Sequence, residues 1–447
     1  MKHSLLHNLL CEHNGQRVIA YRSATPLTLR QLQTDCAHLV TRLKAHQARD
    51  FAIVCDEPWS MLVALLSCHQ ADKHAILPSN LQPKNWPSYR LKWPLISNID
   101  AALHHNDVAV EIGSKQALEV DFSPLDGSAC GLSLFTSGSS GEPTQISKTL
   151  QLLEREAQEL QQQFCSDEPV TRVTASVAHN HIYGLLFRVV WPLLANRPFD
   201  CGLIEHEEAL MLQLTKQTLF VASPAFLERL GQMEQLQGQC HSVFSSGGPL
   251  SFEAVESCSK RLQCRPIEVY GSTETGGIAF RQRQHANQPW QAFSCVELAI
   301  HNQCLVVRSP YIEAAYFATK DQVELQDSNL FSLVGRQDRI VKIAEKRVSL
   351  DEIELALKQS SLVDDCAALA VTQGKQLRIV CAVALSEEGK QHYASQGHSW
   401  LWRELRKCLS GLLEPVALPR KIKVVGFIPR NSQFKLDLAA IKELFHD

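Results

Sequence analysis

Phe135-Thr136-Ser137-Gly138-Ser139-Ser140-Gly141-Glu142-Pro143 follows directly on the apolar run Gly131-Leu132-Ser133-Leu134. A strand that empties into small and hydroxylated residues gathers backbone N–H groups and hydroxyls with no bulky side chain in the way. A polyphosphate needs such surroundings. Taken alone, a Ser/Gly-rich turn is most often an ordinary loop. Three further segments, in fixed order, change its meaning.

The second segment is Val269-Tyr270-Gly271-Ser272-Thr273-Glu274-Thr275. The third runs from Gly335-Arg336-Gln337-Asp338 through Ile340-Val341-Lys342-Ile343 to Arg347-Val348 and Glu352-Ile353-Glu354. The fourth is Ile428-Pro429-Arg430-Asn431-Ser432-Gln433-Phe434-Lys435-Leu436-Asp437. In isolation Glu274, Asp321 and Lys435 would read as solvated charges, and Arg336 with Asp338 as a surface pair of little worth. In this order and at these separations, the four segments resemble the adenylate-forming superfamily. That superfamily comprises acyl- and aryl-CoA synthetases, peptide-synthetase adenylation domains and firefly luciferase. The resemblance spans roughly residues 45 to 440.

It implies an α/β fold, with a large N-terminal domain (residues 1–337) of layered α/β subdomains plus a small β-rich subdomain. A small mobile α+β domain (residues 338–447) would carry the catalytic lysine. It also implies a reaction. A carboxylate attacks the α-phosphorus of ATP, pyrophosphate leaves, and an acceptor thiol takes the acyl group from the adenylate. Because the first step sets two anions against each other, positive charge and oriented donors dominate the catalysis.

Residue by residue, the resemblance implies that Thr136, Ser137, Gly138, Ser139, Ser140 and Gly141 wrap the β- and γ-phosphates. Tyr270 would lie against one face of the adenine, with Gly247, Gly248 and Pro249 on the other and Gly271 and Ser272 beside it. Thr273 would contact the α-phosphate and Glu274 would hold Mg²⁺. Asp321, fourteen residues before Gly335, would bind the ribose together with Arg336. His181, in the H-x-x-G segment His181-Ile182-Tyr183-Gly184, would border the acyl pocket and thiol tunnel, with His179 a nearby competitor. Lys435 would bridge the incoming carboxylate and the α-phosphate, a task that suits a point charge on a long stem. Asp338 would be the hinge for the swing of the C-terminal domain.

The chain departs from the family in several places. Where the phosphate loop usually continues P-K-G, it runs Pro143-Thr144-Gln145, and Lys148 is the nearest cation that could compensate. Glu345 stands where a glycine normally borders the pantetheine tunnel, which tilts the acceptor from CoA towards a carrier protein. Phe434 replaces the glycine before the catalytic lysine. Only about 130 residues precede the phosphate loop. Short length and the G-E-P-x-x-x-x-K-T continuation resemble bacterial ligases of aryl-polyene or fatty-acid-type clusters, which implies an acyl carrier protein as acceptor. The expected function is thus an ATP- and Mg²⁺-dependent acid–thiol ligase acting on a small aryl or fatty acid, with CoA or a carrier-protein phosphopantetheine as acceptor. An adenylation-only enzyme and a non-catalytic nucleotide-binding homologue stay open. A P-loop NTPase is disfavoured, because G-x-x-x-x-G-K-[ST] is absent around Gly138.

Bulk properties fit a globular enzyme. The 447 residues allow two or three sizeable cores. Hydrophobic residues make up 45% and charged residues 20%, and a net charge of −3 gives no electrostatic reason to expect nucleic acid. No apolar run approaches a membrane span. The 15 scattered cysteines contain no C-x-x-C pair and read as reduced, buried thiols of a cytoplasmic protein.

Apolar periodicity predicts strands at Phe51–Cys55, Arg172–Val177, Leu219–Ala222 and Pro266–Tyr270. Between the phosphate loop and the second of these lies a helix. Leu153, Ala157, Leu160 and Phe164 form its apolar face, and Glu154, Glu156, Gln161 and Gln162 are expected to face outward. A β-rich stretch is expected near residues 291–326. In the C-terminal part, a cap at Ser349, strands at Cys366–Val371, Leu377–Leu385 and Lys421–Gly426, and a helix striped by Leu401, Leu405, Cys408, Leu409 and Leu412 are expected.

Overall fold

The computed structural model describes residues 6–114, 118, 120–137, 143–164, 170–232, 238–343, 346–373, 376–410, 418–430 and 436–445. Two large sheets, a small three-stranded sheet and the two-stranded ribbon Ile340–Ile343 with Lys346–Ser349 organise them. The first large sheet has a parallel centre made of Ile267–Ser272, Ser242–Ser245, Thr218–Ala222, Arg172–Ala175, Phe199–Asp200 and Val18–Arg22, in that spatial order. These strands are short, and Ser242–Ser245, Thr218–Ala222 and Arg172–Ala175 are buried at every residue but Arg172, as expected when helices cover both faces. Beyond Ile267–Ser272 the pairing turns antiparallel and continues through Gly276–Arg281, Trp290–Ala292, Leu330–Arg336, Phe317–Leu325, Cys304–Arg308 and Glu297–His301. This is the expected β-rich stretch, hydrogen-bonded into the large sheet.

The second large sheet runs Val108–Ala109, Leu95–Ser97, Asp50–Ile53, His74–Leu77, Gly131–Ser137 and Pro143–Thr149, parallel except for the last strand. The helices begin where the sequence caps them. Thr28 and Gln31 exchange both bonds of a capping box ahead of Leu29–Ala45. Pro58 opens Pro58–Gln70, which is apolar on nearly every side and correspondingly buried. One continuous core joins both sheets through the helix Leu150–Phe164. The Phe164 ring meets Phe244 and Phe280 edge-on at 5.0 and 5.1 Å, a geometry that rings prefer.

The small sheet, Val363–Gln373, Gln376–Leu385 and Lys421–Val425, is buried on both faces with a period of two. Cys366, Ala368, Ile379, Cys381 and Val383 pack with the helices Leu350–Lys358 and Glu387–Ser410. Ala367, Val371, Val380, Ala382 and Ala384 pack on the other side, with Ile441 of the helix Leu438–Glu443. Ser349 caps Leu350–Lys358 by accepting from the Glu352 N–H, as its sequence signal promised. Among the described residues, no apolar cluster mixes these residues with the core of residues 6–331. A large N-terminal domain and a small C-terminal domain therefore stand as expected. The fourteen described cysteines are free thiols. No described helix is long and apolar enough to cross a membrane.

Candidate active site

Ligand crevices in parallel sheets lie beyond the carboxyl ends of the strands, where the chain must turn and exposes backbone. Ser176, Ser223 and Ser246 each follow directly on a parallel strand, and all three line one cavity of about 380 Å³. A second cavity of about 1210 Å³ opens alongside it. The two share a wall: Ser246, Gly247, Val269, Gly271, Ser272 and Thr273 line both.

The larger cavity collects the residues expected at the nucleotide. Gly247, Gly248, Pro249, Tyr270, Gly271, Ser272, Thr273, Glu274, Asp321 and Arg336 all line it. Asp321 and Arg336 stand opposite each other in adjacent antiparallel strands, which explains their spacing in sequence. The Arg336 guanidinium donates to Asp321 Oδ1 at 2.9 Å and to both oxygens of Asp338 at 2.9 and 3.0 Å. Its hydrogen bonds to Asp338 push its pKa up, against burial. The Tyr270 ring sits 5.5 Å from Trp290 and 5.8 Å from Phe331, and its hydroxyl donates to Asp321 Oδ2. Burial and the Asp321 charge raise the Tyr270 phenol, so it remains a donor.

Thr273 and Glu274 ride on a tight turn. Ser272 and Thr275 close it reciprocally: the Ser272 N–H donates to Thr275 Oγ1 at 3.1 Å, and the Thr275 N–H to Ser272 Oγ at 3.2 Å. Only glycine fits at 271, because a Cβ there would lie 2.2 Å from the Gly276 carbonyl oxygen. Among the described residues, none forms a hydrogen bond or ion pair with the Glu274 carboxylate. A hard oxygen ligand at a cleft of this size fits Mg²⁺, which is held by one or two carboxylates plus substrate phosphates.

The smaller cavity has apolar walls, among them Val177, Ile182, Tyr183, Phe187 and Phe226, and His181 also lines it. His181 precedes the short helical turn Ile182–Gly184. Gly184 lets that turn press on the preceding loop: a Cβ would fall 1.8 Å from the Ala178 carbonyl oxygen. His179, the competitor, is a core residue 4% exposed, with Nε2 3.1 Å from the Cys55 carbonyl oxygen. Burial, helped by Arg188, pushes its pKa down to about 3, so it is neutral at ordinary pH. Sequence reasoning missed Arg188. It is buried and donates to the carbonyls of Val177, Cys201 and Gly202 at 3.0, 2.8 and 2.6 Å, which ties together two backbone segments beside the cavity.

A family model described as AMP-binding enzyme matches residues 90–310. A 4-coumarate–CoA ligase from Cereibacter sphaeroides is 26% identical over 305 residues, which cover 67% of this chain and 69% of that protein. A D-alanine–D-alanyl carrier protein ligase from Staphylococcus aureus is 21% identical over 362 residues, covering 70% and 71%. The fold of o-succinylbenzoate CoA synthetase from Bacillus subtilis, solved with its acyl-adenylate, superposes with a TM-score of 0.80 at 16% identity, over 98% of each chain. These matches support the assignment of the chain to the adenylate-forming superfamily. The family so indicated is that of ATP-dependent, acyl-adenylate-forming CoA and carrier-protein ligases.

Two expectations fail. Lys148 does not compensate at the phosphates. It lies on the same face of its strand as Thr144, which lines the larger cavity, but four residues further along. There it is 3% exposed, and its Nζ donates to the carbonyls of Glu274 and Tyr311 at 3.1 and 3.2 Å. Nor do Glu154 and Glu156 face outward: both are 4% exposed. Glu154 accepts from the His7 N–H at 3.0 Å, and Glu156 from the Gly277 N–H at 2.6 Å. The helix carrying them is covered on both sides, so its carboxylates had to find long-range partners. Gln161 also turns to the protein, accepting from Trp191 Nε1, whereas Gln162 is exposed.

Of the adenylate-forming motifs, Gly138, Ser139, Ser140, Gly141, Glu345, Phe434 and Lys435 lie outside the described residues. Thr136 and Ser137 are placed by backbone alone, opposite Thr144 and Pro143 in the register of the two strands.

Proposed function

We propose that this chain is an AMP-forming acid–thiol ligase whose smaller cavity takes the acyl group and whose larger cavity takes ATP. The observation that carries the reading is the wall the two cavities share at Gly271, Ser272 and Thr273. Adenylation needs a carboxylate and an α-phosphate side by side, and that wall is where an acid in one cavity meets a nucleotide in the other.

A carboxylate oxygen of the acid attacks the α-phosphorus, and the bond to the leaving pyrophosphate breaks. A thiolate sulfur then attacks the acyl carbon, the bond to the phosphate oxygen breaks, and AMP leaves. Thr273 donates at the α-phosphate, Asp321 and Arg336 orient the ribose, and Tyr270 packs on the adenine. Mg²⁺ held by Glu274 would offset phosphate charge. Lys435 offsets the charge of the two approaching anions. A boundary at residue 338, with Asp338 as hinge, would let the C-terminal domain bring Lys435 up for the first half-reaction and withdraw it for the second.

The apolar, ring-lined cavity of about 380 Å³ favours an aryl acid, or a fatty acid of modest length. The similarity to a 4-coumarate–CoA ligase supports an aryl acid, and the similarity to a carrier-protein ligase supports a carrier protein as acceptor. Glu345, beside the expected pantetheine path, also weighs towards a carrier protein. The test is ATP–pyrophosphate exchange against benzoic, cinnamic, hydroxylated aryl and short- to long-chain fatty acids. Exchange with one class names the substrate. Silence across a panel that activates a control ligase rejects the reading.

A further inference from the structure

Lys148 and Glu156 come from the strand Pro143–Thr149 and the helix that follows it, yet both act on a turn of the other sheet. Lys148 Nζ holds the carbonyl of Glu274 and, with a second N–H, the carbonyl of Tyr311. Glu156 Oε1 accepts from the Gly277 N–H, and the Tyr311 hydroxyl donates to the Gly277 carbonyl at 2.6 Å. The backbone is therefore gripped at both ends of the segment 274–277. Just ahead of that segment, Thr273 stands on the wall between the two cavities.

The partners are main-chain atoms, so the charges fix a backbone path rather than another side chain. An ammonium suits this task because it has several donors and can serve two carbonyls from segments far apart in sequence. Stability alone does not explain the choice. Buried charges are costly even when hydrogen-bonded, and apolar residues of similar volume often serve a protein interior as well. Placement explains it: reacting groups must be held to about half an ångström by the shell behind them.

We propose that Lys148 and Glu156 are positioning residues for adenylation, anchoring from below the turn that presents Thr273 and Glu274 to the nucleotide. This rests on the adenylation reading above. It predicts that the pair matters for how the bound substrates are held, over and above folding.

The test compares Lys148→Met, Lys148→Arg, Glu156→Gln and the double variant Lys148→Met/Glu156→Gln in the full-length protein. Three quantities are read: kcat and KM in acid-dependent pyrophosphate exchange, ATP affinity by calorimetry with and without Mg²⁺, and Tm. Lys148→Met is expected to lower kcat by roughly tenfold to a hundredfold and to shrink the gain in ATP affinity that Mg²⁺ gives. Lys148→Arg should recover part of both. The double variant, which leaves no uncompensated charge, should recover part of the Tm lost in Lys148→Met but none of the kcat. Recovery of Tm and kcat together would mean that the pair is packing only, and would overturn the proposal. So would a folded Lys148→Met protein with unchanged kcat. If the wild-type chain shows no exchange with any acid, the adenylation reading fails separately. The calorimetry then decides the positioning role: an unchanged Mg²⁺ gain in the double variant, or no Mg²⁺ gain in the wild type, overturns it.

Discussion

The Tyr270 hydroxyl donates to Asp321 Oδ2 at 2.6 Å. The carboxylate expected at the ribose is therefore oriented by the ring expected at the adenine. With Arg336 on Oδ1, each oxygen keeps acceptor capacity for a ribose hydroxyl. Asp321→Ala should raise the KM for ATP by about tenfold to a hundredfold, since a hydrogen bond to a charged group is worth about 1.5–3 kcal/mol. Tyr270→Phe keeps the ring and loses only the orienting bond, so KM should rise by less than tenfold with kcat nearly unchanged. Steady-state kinetics at saturating acid read both. An unchanged KM in Asp321→Ala would remove Asp321 from the ribose site.

Thr144 lines the larger cavity, where the family resemblance leads one to expect a lysine, and the nearest cation along the strand, Lys148, is committed elsewhere. Thr144→Lys should therefore lower the KM for ATP by a few-fold, and more so at low ionic strength, as screening predicts. A KM that does not move, or that rises, would show that the cleft already balances the phosphate charge in another way.

Lys435→Ala should abolish acid-dependent pyrophosphate exchange while leaving thioester formation from a supplied acyl-adenylate largely intact. Chromatography of the thioester product separates the two steps. Equal loss in both would rule out domain alternation for this chain.

Acid should destabilise the fold through two buried imidazoles. Burial pushes His179 down to about 3 and His69 down to about 4, from an ordinary value of 6.5. Below pH 6.5 the unfolded chain takes up protons that the folded chain refuses, so stability falls as pH falls. The loss runs from about 6.5 to about 4 for His69 and to about 3 for His179, at up to about 1.4 kcal/mol per pH unit for each proton. Urea midpoints measured from pH 7 to pH 4 should show this limb, and His179→Gln should flatten it. A midpoint that does not change between pH 7 and pH 5 would contradict the neutral, buried state of both rings.

Much of the site was legible because its residues cluster in short motifs whose spacing is local: Tyr270 to Glu274 follow one strand end, and Asp321 and Arg336 face each other across neighbouring strands. The inward turn of Lys148, Glu154 and Glu156 was not legible. Helical periodicity identified Leu153, Ala157 and Leu160 correctly, but it assumes one wet face, and this helix has little of one. Nothing near Glu156 in sequence signals a partner at Gly277, 121 residues away. Lys148 was assigned by proximity along the chain, whereas the pleat of its strand sets its depth. Arg188 left no signal at all, since an arginine inside an apolar run reads as an interruption rather than as a clamp on four carbonyls.

The two bonds of Lys148 span 126 and 163 residues, and each joins one large sheet to the other. Contacts of such sequence separation reward the chain only after their long loops have been closed. The turn bearing Thr273 and Glu274 thus acquires its final support only when the sheets dock. A half-assembled chain would hold every residue of the motif and still lack a finished nucleotide seat. Competence to bind ATP is in this sense a report on completed folding, and during refolding it should return with the slowest native phase, after strands and helices are already in place.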